Sequence, residues 1–185
     1  AVMLRFLQHY IGEEKMDTIM QKFYNEWQFR HPSPDDFRYY FDSYLDEDLD
    51  WFFENVFSST TSIDFDIKKI KNQFVVQNLG GFNVPYEIAY YNEDGDELKR
   101  KWCRQYQDYK YYEIPDNCFY AVIDPDQMMP DIVRTNNSTK KKIKINFIFD
   151  KPSYYQTDVN VIPWLFSYNT YNGFTPGISA WYGFL

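Results

Sequence analysis

Through residue 56 the apolar residues recur every three or four positions, and beyond residue 61 they recur every second one. The first pattern is that of amphipathic helices and the second that of half-buried strands. Val2, Met3, Phe6, Leu7 and Tyr10 predict a helix over 2–11, with Gly12 as its stop. Met16, Ile19, Met20, Phe23 and Trp27 give the buried face of a second helix, whose first turn carries Glu13 and Glu14 to complement its dipole. His31-Pro32 is expected to end it, because a residue before proline is pushed out of the helical region. Ser33-Pro34-Asp35-Asp36 then reads as cap, first helical residue and acidic first turn of a third helix. Its inner face would be Phe37, Tyr40, Phe41 and Tyr44. Asp46-Glu47-Asp48 opens a fourth helix with Leu49, Phe52, Phe53 and Val56 turned inward. Such short connections predict antiparallel neighbours in a helical array.

In the alternating part, Ile63, Phe65 and Ile67 interleave with Asp64, Asp66 and Lys68. Phe74-Val75-Val76 gives a second strand, followed by a turn at Leu79-Gly80-Gly81. Val84, Tyr86, Ile88 and Tyr90 form a third, in which Pro85 predicts an edge position or a bulge. Residues 92–96 carry hairpin-turn chemistry, and strands follow over 97–103, 109–114 and 118–123. This spacing suits an Ig-like β-sandwich. Asp124-Pro125-Asp126 and Pro130 mark a boundary, 135–139 reads as polar linker, and 142–149 as a further alternating strand. The expected fold class is therefore α+β: a helical array over 1–58, a sandwich over 59–134, and over 135–185 a linker and the start of a further β-rich, barrel-like region. Ala1 enters directly into a helical pattern and the last residues stop inside a strand-like one, so the chain reads as a piece of a longer protein.

Composition narrows the function classes. Aromatic residues make up 22% of the chain, which suits β-rich cores, interfaces and sugar-binding surfaces alike. A net charge of −8 disfavours binding to nucleic acid. Lys140, Lys141, Lys142 and Lys144 are a local exception, read as the solvated face of a strand. Cys103 and Cys118 cannot define a disulfide framework; a bridge needs facing strands with Cα atoms about 5.5 Å apart, and free thiols are the alternative.

Several runs resemble bacterial, envelope-associated members of the M1 (gluzincin) zinc aminopeptidases. They are Tyr10-Ile11-Gly12-Glu13-Glu14, Trp27-Gln28-Phe29-Arg30-His31-Pro32, Asp36-Phe37 and Asp48-Leu49-Asp50-Trp51-Phe52-Phe53. Downstream, Ala121-Val122-Ile123-Asp124-Pro125-Asp126 and the segment from Pro130 to Asn137 resemble the close of the sandwich in such proteins. Pro163, the Tyr168-Asn169-Thr170-Tyr171-Asn172-Gly173 run and Pro176-Gly177 resemble the start of their next β-rich region. The resemblance implies peptide hydrolysis by a zinc ion held on two His and a Glu, with a second Glu as general base. Those residues would lie upstream, so it implies no catalytic, cofactor-binding or metal residue in this chain. It implies zinc and a peptide substrate for the parent, the upstream catalytic domain as partner, and a cell-envelope location, periplasmic or at the outer membrane.

The residues themselves offer little chemistry. His9 is followed by Tyr10 and His31 by Pro32, so neither begins the H-E-x-x-H run that a zinc helix needs. Both cysteines lie far in sequence from a histidine base, and no serine has a G-x-S-x-G setting. Ser58-Ser59 reads as a hinge. Asp35/Asp36 and Asp46/Glu47/Asp48 are accounted for as helix N-termini, while Asp94/Asp96 and Asp124/Asp126 suit turns better than calcium loops. Asn136 and Asn137 match glycosylation sequons. The leading expectation is a non-catalytic C-terminal part of an M1-like peptidase, inactive alone. The alternatives are a secreted module that stacks glycans or envelope components on Trp164, Phe166, Tyr168 and Tyr171, and a calcium-stabilised adhesion sandwich. Unpaired C-terminal strands would also offer an edge for self-association.

Overall fold

Helix α1 (Val2–Ile11) ends at Gly12, whose φ of +95° is costly for any residue with a Cβ. In this computed structural model the described residues are 2–58, 60–104, 108–141, 143–147, 150, 157–164, 168–169, 173–174 and 177–182. Helix α2 (Glu13–Trp27) buries Met16 and Ile19 and half-buries Met20, Phe23 and Trp27. It ends earlier than the proline predicted: Phe29 takes φ +63° and Arg30 N–H donates to Trp27 O at 2.9 Å, so the chain has already turned before His31-Pro32. Helix α3 (Pro34–Tyr44) opens on a reciprocal cap. Asp36 N–H donates to Ser33 Oγ at 3.2 Å, and Ser33 N–H donates to Asp36 Oδ2 at 2.8 Å. Tyr44, expected inside, is 47% exposed with the Lys22 ammonium 4.7 Å over its ring. Helix α4 (Asp50–Ser58) starts at Asp50 because the Asp48 carboxylate accepts the Asp50 N–H at 2.9 Å.

The sandwich follows. Strands β1 (Phe65–Ile70), β2 (Gln73–Asn78) and β5 (Tyr109–Glu113) form one antiparallel sheet in the order β1-β2-β5. Strands β3 (Tyr86–Tyr91), β4 (Glu97–Cys103) and β6 (Tyr120–Ile123) form the other in the order β4-β3-β6. Two hairpins, each joined by the next strand to cross over, give the Ig-like arrangement. Strand β3 is central rather than an edge; Pro85 stands just before its first ladder residue, so no ladder donor is lost. Between the sheets Phe65 packs on Tyr86 with ring centroids 4.7 Å apart, and Phe74 on Tyr90 at 6.0 Å. The hydroxyls of Tyr86 and Tyr112 hydrogen-bond at 2.6 Å, and burial pushes both phenols up. Asp66, expected on the wet face, is buried with its carboxylate paired to the Lys68 ammonium.

The stretch read as a polar linker is bonded into the sandwich: Ile123 N–H donates to Asn137 O at 2.8 Å, and Thr139 N–H to Ala121 O at 3.0 Å. Beyond it, β7 (Ile143–Phe147) runs parallel to β8 (Thr157–Trp164), while β9 (Tyr168–Asn169) pairs with β10 (Gly173–Phe174). Strand β11 (Gly177–Tyr182) pairs antiparallel with β8, giving a third sheet in the order β11-β8-β7. The hinge expected at Ser58-Ser59 and the proposed stacking row of Trp164, Phe166, Tyr168 and Tyr171 lie outside the residues and side chains described here.

The turn between β2 and β3 admits no side chain at Gly80, where a Cβ would stand 2.1 Å from Ser62 O and 2.6 Å from Asp64 N. Both neighbours are backbone and cannot swing aside. Gly80→Ala is expected to destabilise the protein by about 2–3 kcal/mol, read as a shifted midpoint in urea unfolding. Gly81→Ala introduces no clash and tests only the positive φ.

Candidate functional site

Alternation along β3 puts Tyr86, Ile88 and Tyr90 in the sandwich core and Glu87, Ala89 and Tyr91 on the outer face of the sheet. Register adds Trp102 opposite Glu87, Arg100 and Val122 opposite Ala89, and Tyr120 opposite Tyr91. Helix α1 covers part of this face. Trp102 meets Tyr10 at 4.9 Å, His9 at 5.5 Å and Phe6 at 6.3 Å between ring centroids. Trp51 of α4 meets Phe6 and Tyr10 at 5.7 Å each, so α1 is held between two indoles.

A charged cluster closes the rim of this seam. His9 Nε2 lies 3.3 Å from Glu87 Oε2 and 3.9 Å from Asp126 Oδ2. Arg100 Nη1 donates to the same two carboxylates, at 3.3 Å to Glu87 and 2.5 Å to Asp126. Its other nitrogens donate to Glu97, from Nε at 2.9 Å and Nη2 at 2.7 Å. The Glu97 hydrogen bonds, with Asp126 and Glu87 beside them, hold the guanidinium strongly in its charged form despite burial. Glu87 is almost fully buried, so these partners are what make its charge tolerable there.

Asp124 builds the loop that brings Asp126 to Arg100. It takes φ +51°, donates its N–H to Glu87 O at 2.9 Å, and accepts the N–H groups of Met128 and Met129 at 2.9 Å each. Burial raises its carboxyl to about 6, against the opposing pull of those two N–H groups, Arg134 and His9. Beside the loop is a cavity of about 220 Å³ lined by Tyr91, Tyr120, Asp124, Arg134, Asn137 and Lys140. Tyr91 and Tyr120 stack in its wall, 4.9 Å between centroids and 11° between planes, and the Lys140 ammonium lies 4.9 Å over the Tyr120 ring.

Chemically the cluster is a clamp. His9, Glu87 and Asp126 are the one group among the described residues whose donor atoms lie close enough to share a cation. The place between the two carboxylates already receives a guanidinium N–H. A zinc centre of two His and a Glu does not fit this set, which has one histidine and a resident arginine. Cys103 pairs with Tyr86 and so faces the sandwich core, away from His9 on the outer face. The Cys118 thiol donates to Tyr120 O at 3.4 Å and is pushed up by burial, which makes it a poor nucleophile. Both cysteines are free.

The other acidic groups serve locally. Asp36 and Asp48 accept helix N–H groups, Asp48 also lies 3.8 Å from Arg104, and Glu47 lies 3.7 Å from Lys15. Asp96 Oδ2 accepts Asn92 Nδ2 in the β3–β4 hairpin, and Asp94 is exposed. Asp124 and Asp126 diverge to different partners, so they do not form a calcium loop as arranged. His31 is exposed; Asn136 is half-buried and Asn137 buried, so neither sequon offers a free acceptor. Sequence reasoning gave His9 a structural place but missed its partners, which lie on strands far along the chain. The available signal was Glu87, an acid inside the apolar run Tyr86-Glu87-Ile88-Ala89-Tyr90. No family model matches this chain, and no curated protein matches it.

Two outcomes are expected. Asp124 has a folded-state pKa raised above its unfolded value, so protonated Asp124 favours folding and this contribution is lost as pH rises from about 4 to about 6. Asp124→Asn should therefore gain on the wild type by about 1–3 kcal/mol between pH 4 and pH 7 in urea titrations, whatever its offset at pH 4. Arg100→Met leaves Glu87 buried beside Asp126 without its cation and should cost about 2–3 kcal/mol at pH 7. Adding Glu87→Gln should recover part of that loss in a double-mutant cycle.

Proposed function

We propose that this chain is a non-catalytic C-terminal part of an M1-like zinc metallopeptidase, in which the helical array backs the catalytic domain and the sandwich acts as a rigid spacer. The observation that carries the supporting role is the seam, where charged groups that could serve chemistry are matched to one another. Arg100 satisfies Glu87, Glu97 and Asp126, and His9 abuts the same carboxylates. What supports the family is the set of runs from Tyr10 to Phe53 and from Ala121 to Asn137. On this reading the partner is the upstream catalytic domain of the same polypeptide, the parent's substrate is a peptide, its cofactor is zinc held upstream, and its location is the cell envelope.

A second reading, a glycan-binding module, draws on a different feature from the C-terminal row first considered: the cavity beside the Tyr91–Tyr120 stack, which offers an aromatic wall with Arg134, Asn137 and Lys140 around it. Calorimetric titration with cell-wall glycans separates the two, because Tyr120→Ala abolishes binding only if this cavity is the site.

The purified chain is expected to hold no stoichiometric zinc by elemental analysis after dialysis, and to release no chromophore from aminoacyl reporters. Hydrolysis that survives repurification and is lost on chelation would overturn the proposal.

A further inference from the structure

Single exposed apolar residues are ordinary on a protein surface; a contiguous set on one sheet face is not. On β7, Ile143, Ile145 and Phe147 are 68%, 61% and 58% exposed. On β11, Ile178 is 76% exposed and Ala180 is exposed as well. Register joins them. Ile145 pairs with Val159, Phe147 with Val161, and Val161 in turn with Ala180. Residues opposite one another share a face, so these side chains form one apolar surface across all three strands. The intervening positions read Lys144, Asn146, Asp158, Asn160 and Ser179, with Ile162 and Trp181 as apolar exceptions. Lys140 and Lys141 are exposed, as expected of the lysines, and Ile143, Ile145 and Phe147 meet the solvent as well; the side chains of Lys142 and Lys144 lie outside those described.

We propose that this face of the β11-β8-β7 sheet rests on the hydrocarbon of an anionic lipid bilayer. One feature selects lipid over a second copy of the chain, the basic run beside this face. The residues leading into β7 are Lys140-Lys141-Lys142, a basic run in a chain of net charge −8, and Lys140 and Lys141 are exposed. Lysines next to an apolar face engage anionic headgroups while the apolar residues enter the acyl layer. Stacking against a second acidic copy through apolar residues gives them no such layer. The inference stands on the third sheet alone and does not require the peptidase reading.

The test is flotation of the full chain with phosphatidylcholine vesicles, with and without phosphatidylglycerol. The wild type should float with both and more strongly with the anionic vesicles. Phe147→Asp and Ile145→Asp should abolish flotation while leaving circular dichroism and melting unchanged, because both side chains are exposed. Lys141→Gln should weaken binding to the anionic vesicles about fivefold and leave binding to the neutral ones intact. Failure of the wild type to float with either vesicle overturns the proposal, as do aspartate variants that float like the wild type. Sedimentation as a dimer that Phe147→Asp dissociates, without vesicle binding, overturns it in favour of a second copy.

Discussion

The helical array and the sandwich are joined where α1 covers part of the outer face of the β4-β3-β6 sheet. The inner face is closed by the opposite sheet, but Trp102 on the outer face would otherwise stand in water. Helix α1 solves this by inserting Phe6, His9 and Tyr10 around Trp102, with Trp51 behind them. Burying aromatic surface of this size is worth several kcal/mol. The same cover strips water from Glu87, which is why Arg100 and His9 must be where they are. Hydrophobic contact sets the docking, and the ion cluster fixes its register.

Aromatic side chains carry most of this architecture. The helices are 9 to 15 residues long, near or below the length at which isolated helices persist in water. They are held by edge-to-face contacts that run from Phe23 through Phe37 and Phe41 to Phe53, with neighbouring centroids 4.9 to 5.5 Å apart. Tyrosines do the same between the sheets, where the Tyr86–Tyr112 bond satisfies two hydroxyls that burial would otherwise strand. Among the described side chains, packing of the helices and of the sandwich core thus takes up many aromatic residues, while Tyr24, Phe29, Tyr39 and Tyr111 stand exposed.

Much of the local structure was legible in the chain. Gly12, the Ser33–Asp36 box and the 92–96 hairpin each act within a few residues, so their chemistry can be recognised without the fold. Pro85 predicts an edge or a bulge; β3 is central, Pro85 stands before its first ladder bond, and the register shift against β4 falls at Tyr90/Tyr91. Periodicity places Asp66 outside and Tyr44 inside, but Asp66 is buried and paired with Lys68, and Tyr44 stands exposed under the Lys22 ammonium.

The sequence by itself determined the α+β class, the four helices among the described residues, the succession of strands along the sandwich and the alternation on β7, because propensity, capping and periodicity are short-range properties. Only the tertiary structure decided that His9, Glu87, Arg100 and Asp126 meet at one seam. It also decided that Asp124 is buried against backbone N–H groups and that Ile143, Ile145 and Phe147 are exposed. These facts depend on which distant surfaces are brought together and dehydrated. No local pattern encodes that.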